Sequence, residues 1–345
     1  MRIGTPGIRR TAAAIASVAL LAGVAGCGSS DDGGSAGTTS GGAPDELRVG
    51  AMFLDSQGFY GGVKYGFEQA AERDGVKLRL TQSNAGGDAS AESSFISTLA
   101  SSKPDAIVVS AVSETASVPA IRLAARSGIP VICYNTCIRR DALEEHVFAY
   151  AVGDPVEFGA MLGEAAADYF EQERNDAPKI GVVNCEQFEV CKLRRQGFEE
   201  ALGRRIPGAE IVANQSGTTE DKAISVAQNM LNANRDIDAF FGESGGATAG
   251  AVKAVEAAKR VGDVVVFGSD MTTELARELL DGRILKADVD ISGRTMGETA
   301  YRLVLDAASG REPADKIVPV PIRVFRADRP AEVEEWLKVH ANGLP

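Results

Sequence analysis

The side chains best suited to bind a small molecule in this chain are aromatic and polar residues that follow short apolar segments. Phe59 and Tyr60 follow the first such segment, and Asn135 and Asp270 follow two later ones. An aromatic face packs against the C–H groups of a ring, while amide and carboxylate groups exchange hydrogen bonds with hydroxyls. These residue types and positions predict a site for a small polyhydroxylated molecule.

Each of these residues also has a purely structural interpretation. One of the two aromatic rings could pack in the core. Asn135 could cap its own backbone in a turn, and Asp270 could be the N-cap of a helix that starts at Thr272. Only the arrangement of the surrounding elements decides between ligand binding and these structural roles.

The sequence contains few residues that could support catalysis. His146 and His340 are the only histidines, so the sequence offers few residues for a histidine-based acid–base site. The sequence has no nucleophile elbow, no phosphate-binding loop and no metal motif with proper spacing. We therefore predict a protein that is not an enzyme and needs no cofactor and no metal. A hydrolytic enzyme built on the same elements is the alternative that turnover of sugar conjugates would support.

The elements that must position the candidate residues follow from hydrophobic periodicity. Helical segments repeat apolar residues at a period of about 3.6, as Val63, Phe67 and Ala70 do. They alternate with short apolar segments, which predicts parallel strands covered by helices on both faces. The predicted strands are Arg48–Phe53, Lys77–Gln82, Ala106–Ser110, Pro130–Tyr134, Phe148–Val152, Lys179–Val183, Glu210–Val212, Ala239–Gly242, Val264–Gly268 and Ile284–Asp288.

These strands are more numerous than one open sheet usually contains. We therefore predict an α/β fold with two doubly wound parallel-sheet lobes. The break between the lobes is expected near Gly153-Asp154-Pro155, because proline disfavours helix at the residue before it and starts a new helix well. That helix is predicted to end at Glu173. Ligands of open parallel sheets bind outside the carboxyl ends of the strands, so the site should lie in a cleft between the lobes.

The N-terminus has the pattern of an export signal. Arg9 and Arg10 precede an apolar stretch at 12–21 that is too short to span a bilayer. Small residues then lead to Cys27, and this segment resembles the lipobox of bacterial lipoproteins, which implies that Cys27 is lipidated. We expect a signal peptide at 1–26, exported by the Sec or the twin-arginine route, and a mature protein anchored to the outer face of the cell membrane. A plain signal peptide is the alternative.

The charge of the chain argues against one class of partner. The chain has 36 basic and 48 acidic residues, and three of the basic ones lie before Cys27, which leaves a net charge of −15 after it. Binding to nucleic acid needs a basic surface, so we predict no nucleic-acid partner. The acidic balance is explained by solubility and says little about a neutral ligand.

Four further cysteines, Cys133, Cys137, Cys185 and Cys191, fall in two of the segments that follow predicted strands. An even number of cysteines in an exported protein favours disulfides, and two local disulfides would stiffen both walls of a cleft. Four cysteines allow three pairings, and the sequence does not decide among them. A thiolate metal site is the alternative. A disulfide between the lobes is disfavoured because it would oppose opening of the cleft.

Several short phrases occur in an order and spacing typical of a known family. They are Ser56-Gln57-Gly58-Phe59-Tyr60, Gly128-Ile129-Pro130-Val131, Arg194-Arg195-Gln196-Gly197-Phe198, Asp236-Ile237-Asp238-Ala239-Phe240-Phe241 and Val266-Phe267-Gly268-Ser269-Asp270. From Leu47 to about Arg326 the chain therefore resembles the periplasmic sugar-binding proteins of the ribose-binding type, the type I solute-binding proteins of ABC importers.

The resemblance implies that the chain crosses three times between the lobes, which are then joined by a multi-strand hinge. The segment between Cys27 and the first lobe is rich in Gly, Ser and Thr and is expected to be a flexible tether. The expected divisions are a signal peptide at 1–26, the tether at 27–44, an N-terminal lobe at 45–153 plus 292–317, a C-terminal lobe at 154–291 plus 318–327, and a tail at 328–345.

The resemblance also implies roles for individual residues. Phe59 and Tyr60 match two aromatics that clamp the apolar face of a sugar ring, and Asp270 matches an acid that binds sugar hydroxyls. Asn135 stands where the family often has an acid, and an amide there both donates and accepts. Lys192 stands where the family commonly has an arginine, and a lysine loses the two-pronged geometry of that side chain.

Further positions depart from the family pattern. Ser244 stands where the family usually has an Asn-Asp pair, and Asp290 lies next to the position of an amide side chain. Asp55 and Gln57 on the first loop are additional candidates, whereas Arg194 is expected to be a structural partner within the second lobe. These departures imply a ligand other than ribose in its usual pose.

The resemblance implies capture of a sugar, a polyol or a small sugar-like signal in the cleft and its delivery to the permease subunits of an ABC importer. The expected protein is a monomer, and its contact with the membrane is the lipid anchor. A receptor of the same fold that reports a ligand to a sensor or chemotaxis partner is the alternative. A transcription regulator is disfavoured by the signal peptide and by the missing helix-turn-helix.

Overall fold

The computed structural model describes residues 44–53 and 58–344. The predicted signal peptide and Cys27 lie outside the described residues, and so do Asp55 and Gln57. Within the described ranges, no helix has the length and the apolar character that a membrane crossing requires.

Strands and helices alternate along most of the described chain. The strands are β1 Glu46–Phe53, β2 Lys77–Asn84, β3 Ala106–Val109, β4 Val131–Tyr134, β5 Ala149–Val152, β6 Lys179–Asn184, β7 Glu210–Ser216, β8 Ala239–Gly242, β9 Val265–Ser269, β10 Leu285–Asp290, β11 Ile317–Pro319 and β12 Arg323–Arg326. The helices are α1 Gly58–Arg73, α2 Ala89–Ser102, α3 Val118–Arg126, α4 Arg140–His146, α5 Pro155–Glu173, α6 Glu189–Arg205, α7 Glu220–Ala233, α8 Gly245–Ala257, α9 Thr273–Asp281, α10 Gly293–Ala308 and α11 Pro330–Val339.

The strands form two six-stranded sheets, as the α/β prediction requires. The order in the first sheet is β11-β5-β4-β3-β1-β2, and the order in the second is β12-β10-β9-β8-β6-β7. All pairings are parallel except that of β12, which runs antiparallel to β10. The predicted fold class, two doubly wound parallel-sheet lobes, is confirmed.

Burial of the strands explains their sequence pattern. Ala106–Val109 and Ala239–Gly242 lie inside their sheets, and every one of their residues is buried. Strand β2, at the edge of the first sheet, alternates exposed and partly buried residues instead. Continuous apolar segments therefore mark central strands that helices cover on both faces, since only such strands remove both of their faces from water.

Short elements near the C-terminus complete both sheets and the hydrophobic core of the second lobe. Strands β11 and β12 add one edge to each sheet. The segment 328–345, set apart as a tail in the sequence analysis, contains α11. Val333 and Trp336 of this helix are buried, and the Trp336 ring centroid lies 6.4 Å from that of Phe325. Helix α11 therefore packs on the second lobe.

The chain passes between the two sheets at three places, which lie between β5 and α5, between β10 and α10, and between β11 and β12. These crossing segments pack against one another. A Cβ atom at Gly153 would lie 2.7 Å from the side chain of Ile291 and 3.0 Å from that of Ile322. The backbone N–H of Val320 also donates to the carbonyl oxygen of Val152 at 2.9 Å. The three crossings thus form one packed unit around a glycine.

Helices α5 and α6 pack closely because glycines lie at their contact. A Cβ atom at Gly159 would lie 1.7 Å from the carbonyl oxygen of Arg194, and one at Gly197 would lie 2.0 Å from that of Val156. Helices α1 and α10 of the first lobe approach each other through a glycine pair in the same way. The contact between α5 and α6 holds the backbone of Arg194, whose side chain reaches the candidate site.

We predict that Gly197→Ala lowers the free energy of unfolding by about 1–3 kcal/mol, because the added methyl group forces the two helices apart. The measurement is urea denaturation followed by circular dichroism. Gly203→Ala on the same helix is the control, since a Cβ atom there meets no described atom within 4 Å, and we expect it to be neutral or stabilising. Equal stability of the two variants would contradict the close helix contact.

Candidate functional site

The predicted site residues that the structure describes lie at or next to the carboxyl ends of the strands. Phe59 and Tyr60 are in the first turn of α1, Asn135 follows β4, and Asp270 follows β9. Asn135 and Asp270 have φ angles of 56° and 64°, in the left-handed region that asparagine and aspartate enter more readily than most residues. In each lobe one of the predicted site residues therefore has an uncommon backbone conformation, a feature that clusters at binding sites.

The wall of the first lobe is a group of hydroxyls and aromatic rings. The Asn135 Nδ2 group donates to the Tyr60 hydroxyl at 3.2 Å, and this hydroxyl lies 3.5 Å from the Ser110 Oγ atom. Ser110 Oγ is in turn 2.7 Å from Thr136 Oγ1. The rings of Phe59 and Tyr60 meet edge to face, with centroids 5.2 Å apart. Since its amide donates to Tyr60, Asn135 joins this wall.

Tyr150 of β5 connects this wall with the second lobe. Its hydroxyl donates to the backbone carbonyl oxygen of Asn135 at 2.7 Å. Burial raises the pKa of Tyr150 above its ordinary value, and the positive charge of Arg194 on α6 acts in the opposite direction. The charge of Arg194 in the second lobe therefore acts electrostatically on a hydroxyl of the first lobe.

The wall of the second lobe is built around the side chain of Arg194, which is buried. Its Nη1 group donates to the carbonyl oxygen of Glu243 at 2.9 Å and to Asp270 Oδ1 at 3.3 Å. Its guanidinium carbon lies 3.9 Å from the centroid of the Phe158 ring. The other carboxylate oxygen of Asp270 accepts from the backbone N–H of Gly245 at 3.2 Å. This network fixes both Arg194 and Asp270.

Asp270 does not cap the following helix. The N-cap of α9 is Thr272, whose Oγ1 atom accepts from the backbone N–H of Leu275 at 3.1 Å. The structural interpretation of Asp270 as the N-cap is therefore wrong, and its carboxylate belongs to the network with Arg194.

Ser244 and Asp290 have structural partners of their own. The Ser244 hydroxyl oxygen accepts from the backbone N–H of Ala247 and caps α8. Asp290 is buried, and its Oδ1 atom accepts from the backbone N–H of Met271 at 3.2 Å. Ser244 keeps a proton that it can donate to a ligand, whereas Asp290 lies beneath the surface. Ligand contact by either residue stays a prediction.

Lys192 lies apart from the network of Arg194 and Asp270. Its side chain is 44% exposed, and its Nζ atom donates to Glu189 at 3.0 Å on the same helix. The Nζ atom is also 3.9 Å from a carboxylate oxygen of Glu114, which follows β3 in the first lobe. The two walls therefore approach each other here through opposite charges at the rim.

Three acidic side chains are buried under the second wall. Burial raises the pKa of Glu243 to about 8, although the backbone N–H of Cys185 donates to its Oε2 atom at 2.9 Å. Burial, followed by the charge of Asp270, raises the pKa of Asp290 to about 7. Burial also raises the pKa of Asp288 well above its usual range, and neither of its carboxylate oxygens has a hydrogen-bond partner among the described residues. Burial therefore makes each of these carboxyl groups harder to ionise in the folded protein than in the unfolded chain.

Both walls carry a disulfide. The bonds join Cys133 to Cys137 and Cys185 to Cys191, with Cα atoms 5.5 Å and 5.6 Å apart, so the structure contains the two local pairings. The sulfur atoms of the second bond and a carboxylate oxygen of Glu243 lie within 4.8 Å of one another. Because both sulfurs are oxidised, this group does not offer the thiolates that a zinc site needs.

Sequence reasoning gave Tyr150 no role in the site and assigned Arg194 a structural one. Helix α6 buries Cys191, Arg194 and Phe198 along one face, so the helical period alone separates Arg194 from the exposed Lys192. For Tyr150 no such signal exists, because a tyrosine in a strand usually indicates packing against neighbouring residues.

Two facing sheets, three packed crossings and a polar cleft define a two-lobe ligand-binding protein. The family model described as the periplasmic binding protein domain matches residues 51–312. The chain therefore belongs to the periplasmic binding protein family, and the resemblance predicted from the sequence is confirmed.

Individual proteins are also similar to this chain over most of its length. The ABC transporter periplasmic-binding protein YphF of Escherichia coli (strain K12) is 50% identical over 303 residues, which cover 88% of this chain and 92% of that protein. A D-ribose/D-allose-binding protein of Pseudomonas aeruginosa is 27% identical over 70% of this chain and 75% of its own length. The structure of a periplasmic solute-binding protein of Actinobacillus succinogenes 130z with bound D-allose aligns with a TM-score of 0.75 at 20% identity, covering 83% of this chain and 99% of the other. That likeness shows the fold.

We predict that the stability of the protein falls as the pH rises from about 5 to about 8. The raised pKa values of Glu243 and Asp290 mean that the folded protein binds more protons than the unfolded chain in this window. The free energy of unfolding should therefore decrease by up to about 1.4 kcal/mol per pH unit for each group. Glu243→Gln should flatten the slope, as measured by urea denaturation at several pH values. Glu189→Gln, at an exposed position, should keep it, and identical slopes in both variants would show that Glu243 does not titrate here.

Proposed function

We propose that this protein is an extracytoplasmic solute-binding lipoprotein that captures a sugar or sugar-like polyol between its lobes and delivers it to an ABC importer. The observation that carries the proposal is the arrangement of the two walls. In one lobe Asn135 follows β4 and donates to Tyr60 of α1, and in the other Asp270 follows β9 and is held by Arg194 of α6, so each wall has a polar group at the carboxyl end of a strand. Such a cleft is the usual place for a ligand in open parallel sheets.

The chemistry of the walls suits a neutral polyhydroxylated ligand. The rings of Phe59 and Tyr60 offer an apolar face to ring C–H groups. The amide of Asn135 and the carboxylate of Asp270 can accept from hydroxyls. Arg194 already pairs with Asp270, so the second wall has no net charge for a charged ligand to neutralise.

The relatives support both the ligand class and the transport role. One relative is named as a periplasmic-binding protein of an ABC transporter, and another is named for D-ribose and D-allose. Asp55, Gln57, Lys192, Ser244 and Asp290 remain proposed contacts, since a ligand that closes the cleft could bring further side chains into reach.

The proposed mechanism is closure of the lobes around the ligand. A ligand that touches both walls binds the closed form better than the open form, and it shifts the equilibrium by that difference in affinity. The three crossings packed around Gly153 are where such a hinge would bend. The closed form would then dock on the permease, and opening would release the solute.

Binding is tested with a panel of pentoses, hexoses and polyols in a thermal-shift assay, followed by small-angle scattering with the strongest ligand. We expect a higher melting temperature and a smaller radius of gyration with ligand. Asp270→Asn should weaken binding roughly 10- to 100-fold, because a hydrogen bond to a charged group is lost. Asp281→Asn, an exposed change in the same lobe, is the control. Failure of every sugar and polyol to bind, or tight binding without compaction, would contradict the proposal.

The lipid anchor is tested by growing cells that express the full chain with a labelled fatty acid and isolating the protein. We expect the label in the unaltered protein and not in Cys27→Ser, because the cysteine sulfur is the atom that carries the lipid. Ser29→Ala, two residues further along the chain, should be labelled like the unaltered protein. Equal labelling of Cys27→Ser would exclude lipidation at this residue.

A further inference from the structure

A cavity lies beside the candidate site, between the two lobes. Its volume is about 530 Å³, within the range of roughly 300–1,000 Å³ typical of small-molecule pockets. It is enclosed by the segment around α4 and the end of β5 in the first lobe, by the start of α6 in the second lobe, and by β11. None of the ligand-contact candidates that the structure describes lines it.

The lining of this cavity is largely apolar. The first lobe contributes Ile138, Leu143 and Val152, and the second contributes Phe188, Val190 and Leu193. The charged side chains that also line it are Glu114, Arg139, Arg140, Asp154 and Glu189. The apolar part of the lining suits an alkyl or aryl group, whose transfer from water is favourable.

The cavity is continuous with the wall that holds the candidate site. Tyr150 and Thr136 line the cavity. The Tyr150 hydroxyl also donates to the backbone of Asn135, and the Thr136 hydroxyl is hydrogen-bonded to Ser110, which neighbours Tyr60. These hydrogen bonds place the apolar space next to the wall that carries Tyr60.

The disulfides hold the walls of the cavity. Cys137 lines it and is bonded to Cys133, while Phe188 and Val190 lie inside the loop closed by Cys185 and Cys191. Loops fixed in this way lose less conformational entropy when a ligand orders them. The cavity is thus bordered by two constrained segments that face each other from opposite lobes.

We propose that the ligand is a glycoside whose sugar ring occupies the candidate site and whose apolar aglycone, an alkyl or aryl group, fills the neighbouring cavity. The proposal rests on the proposed function for its sugar end and adds the second half of the molecule. An apolar group that touches both lobes also stabilises the closed form, because it is removed from water only when the lobes meet.

The test is isothermal titration calorimetry with methyl and phenyl glycosides of D-ribose, D-allose and D-galactose. For the sugar that binds, the phenyl glycoside should bind at least about tenfold more tightly than the methyl glycoside, with a more negative heat-capacity change. Val190→Trp, which fills the cavity, should remove this gain and leave the affinity for the methyl glycoside nearly unchanged. Gln187→Trp is the matched control, since Gln187 is exposed in the same disulfide loop and does not line the cavity.

The outcomes separate the two proposals. Equal affinity for phenyl and methyl glycosides in the unaltered protein overturns the glycoside proposal and leaves sugar capture intact. An equal loss of both affinities in Val190→Trp and Gln187→Trp also overturns it, because the effect would then come from the loop and not from the cavity. If no sugar and no glycoside binds, the proposed function fails and the glycoside proposal fails with it.

Discussion

Arg194 places a positive charge in the protein interior, and the second wall of the cleft is organised around it. A charge taken out of water is costly unless it is paired and hydrogen-bonded. Asp270 supplies the opposite charge, the Glu243 carbonyl oxygen accepts a hydrogen bond, and the Phe158 ring covers the guanidinium. The same contacts fix the Asp270 carboxylate, so the polar groups of this wall are held in one arrangement, and a ligand that contacted them would require little further ordering.

The fold was largely predictable because the sequence clearly marks where helices and strands begin and end. Pro155–Glu173 and Ala239–Gly242 begin and end as predicted, since proline or polar residues bound their apolar patterns. Strand β11, by contrast, has only three residues, Ile317–Pro319, and two prolines close by. Its pairing with β5 comes from the return of the chain to the first lobe, and no local pattern encodes that tertiary contact.

The site was less predictable than the fold, because its contacts depend on where helices place their faces. The resemblance to the family predicted Lys192 as a ligand contact, but Lys192 lies at the exposed rim. The helical period of α6 buries Arg194, two residues later, instead. The positions of Asn135 and Asp270 followed from the rule that ligands meet the carboxyl ends of strands. Tyr150 required the structure, since only the approach of the two lobes places it in a cavity that the start of α6 also lines.

The left-handed backbone at Asn135 and Asp270 also bears on how such a protein could diverge. Glycine, asparagine and aspartate adopt this conformation with little strain, whereas β-branched and bulky side chains do not. Few residue types are therefore compatible with the backbone conformation at these two positions. A change of ligand would then be accommodated mainly by substitutions at neighbouring residues with ordinary backbone angles, such as Ser244.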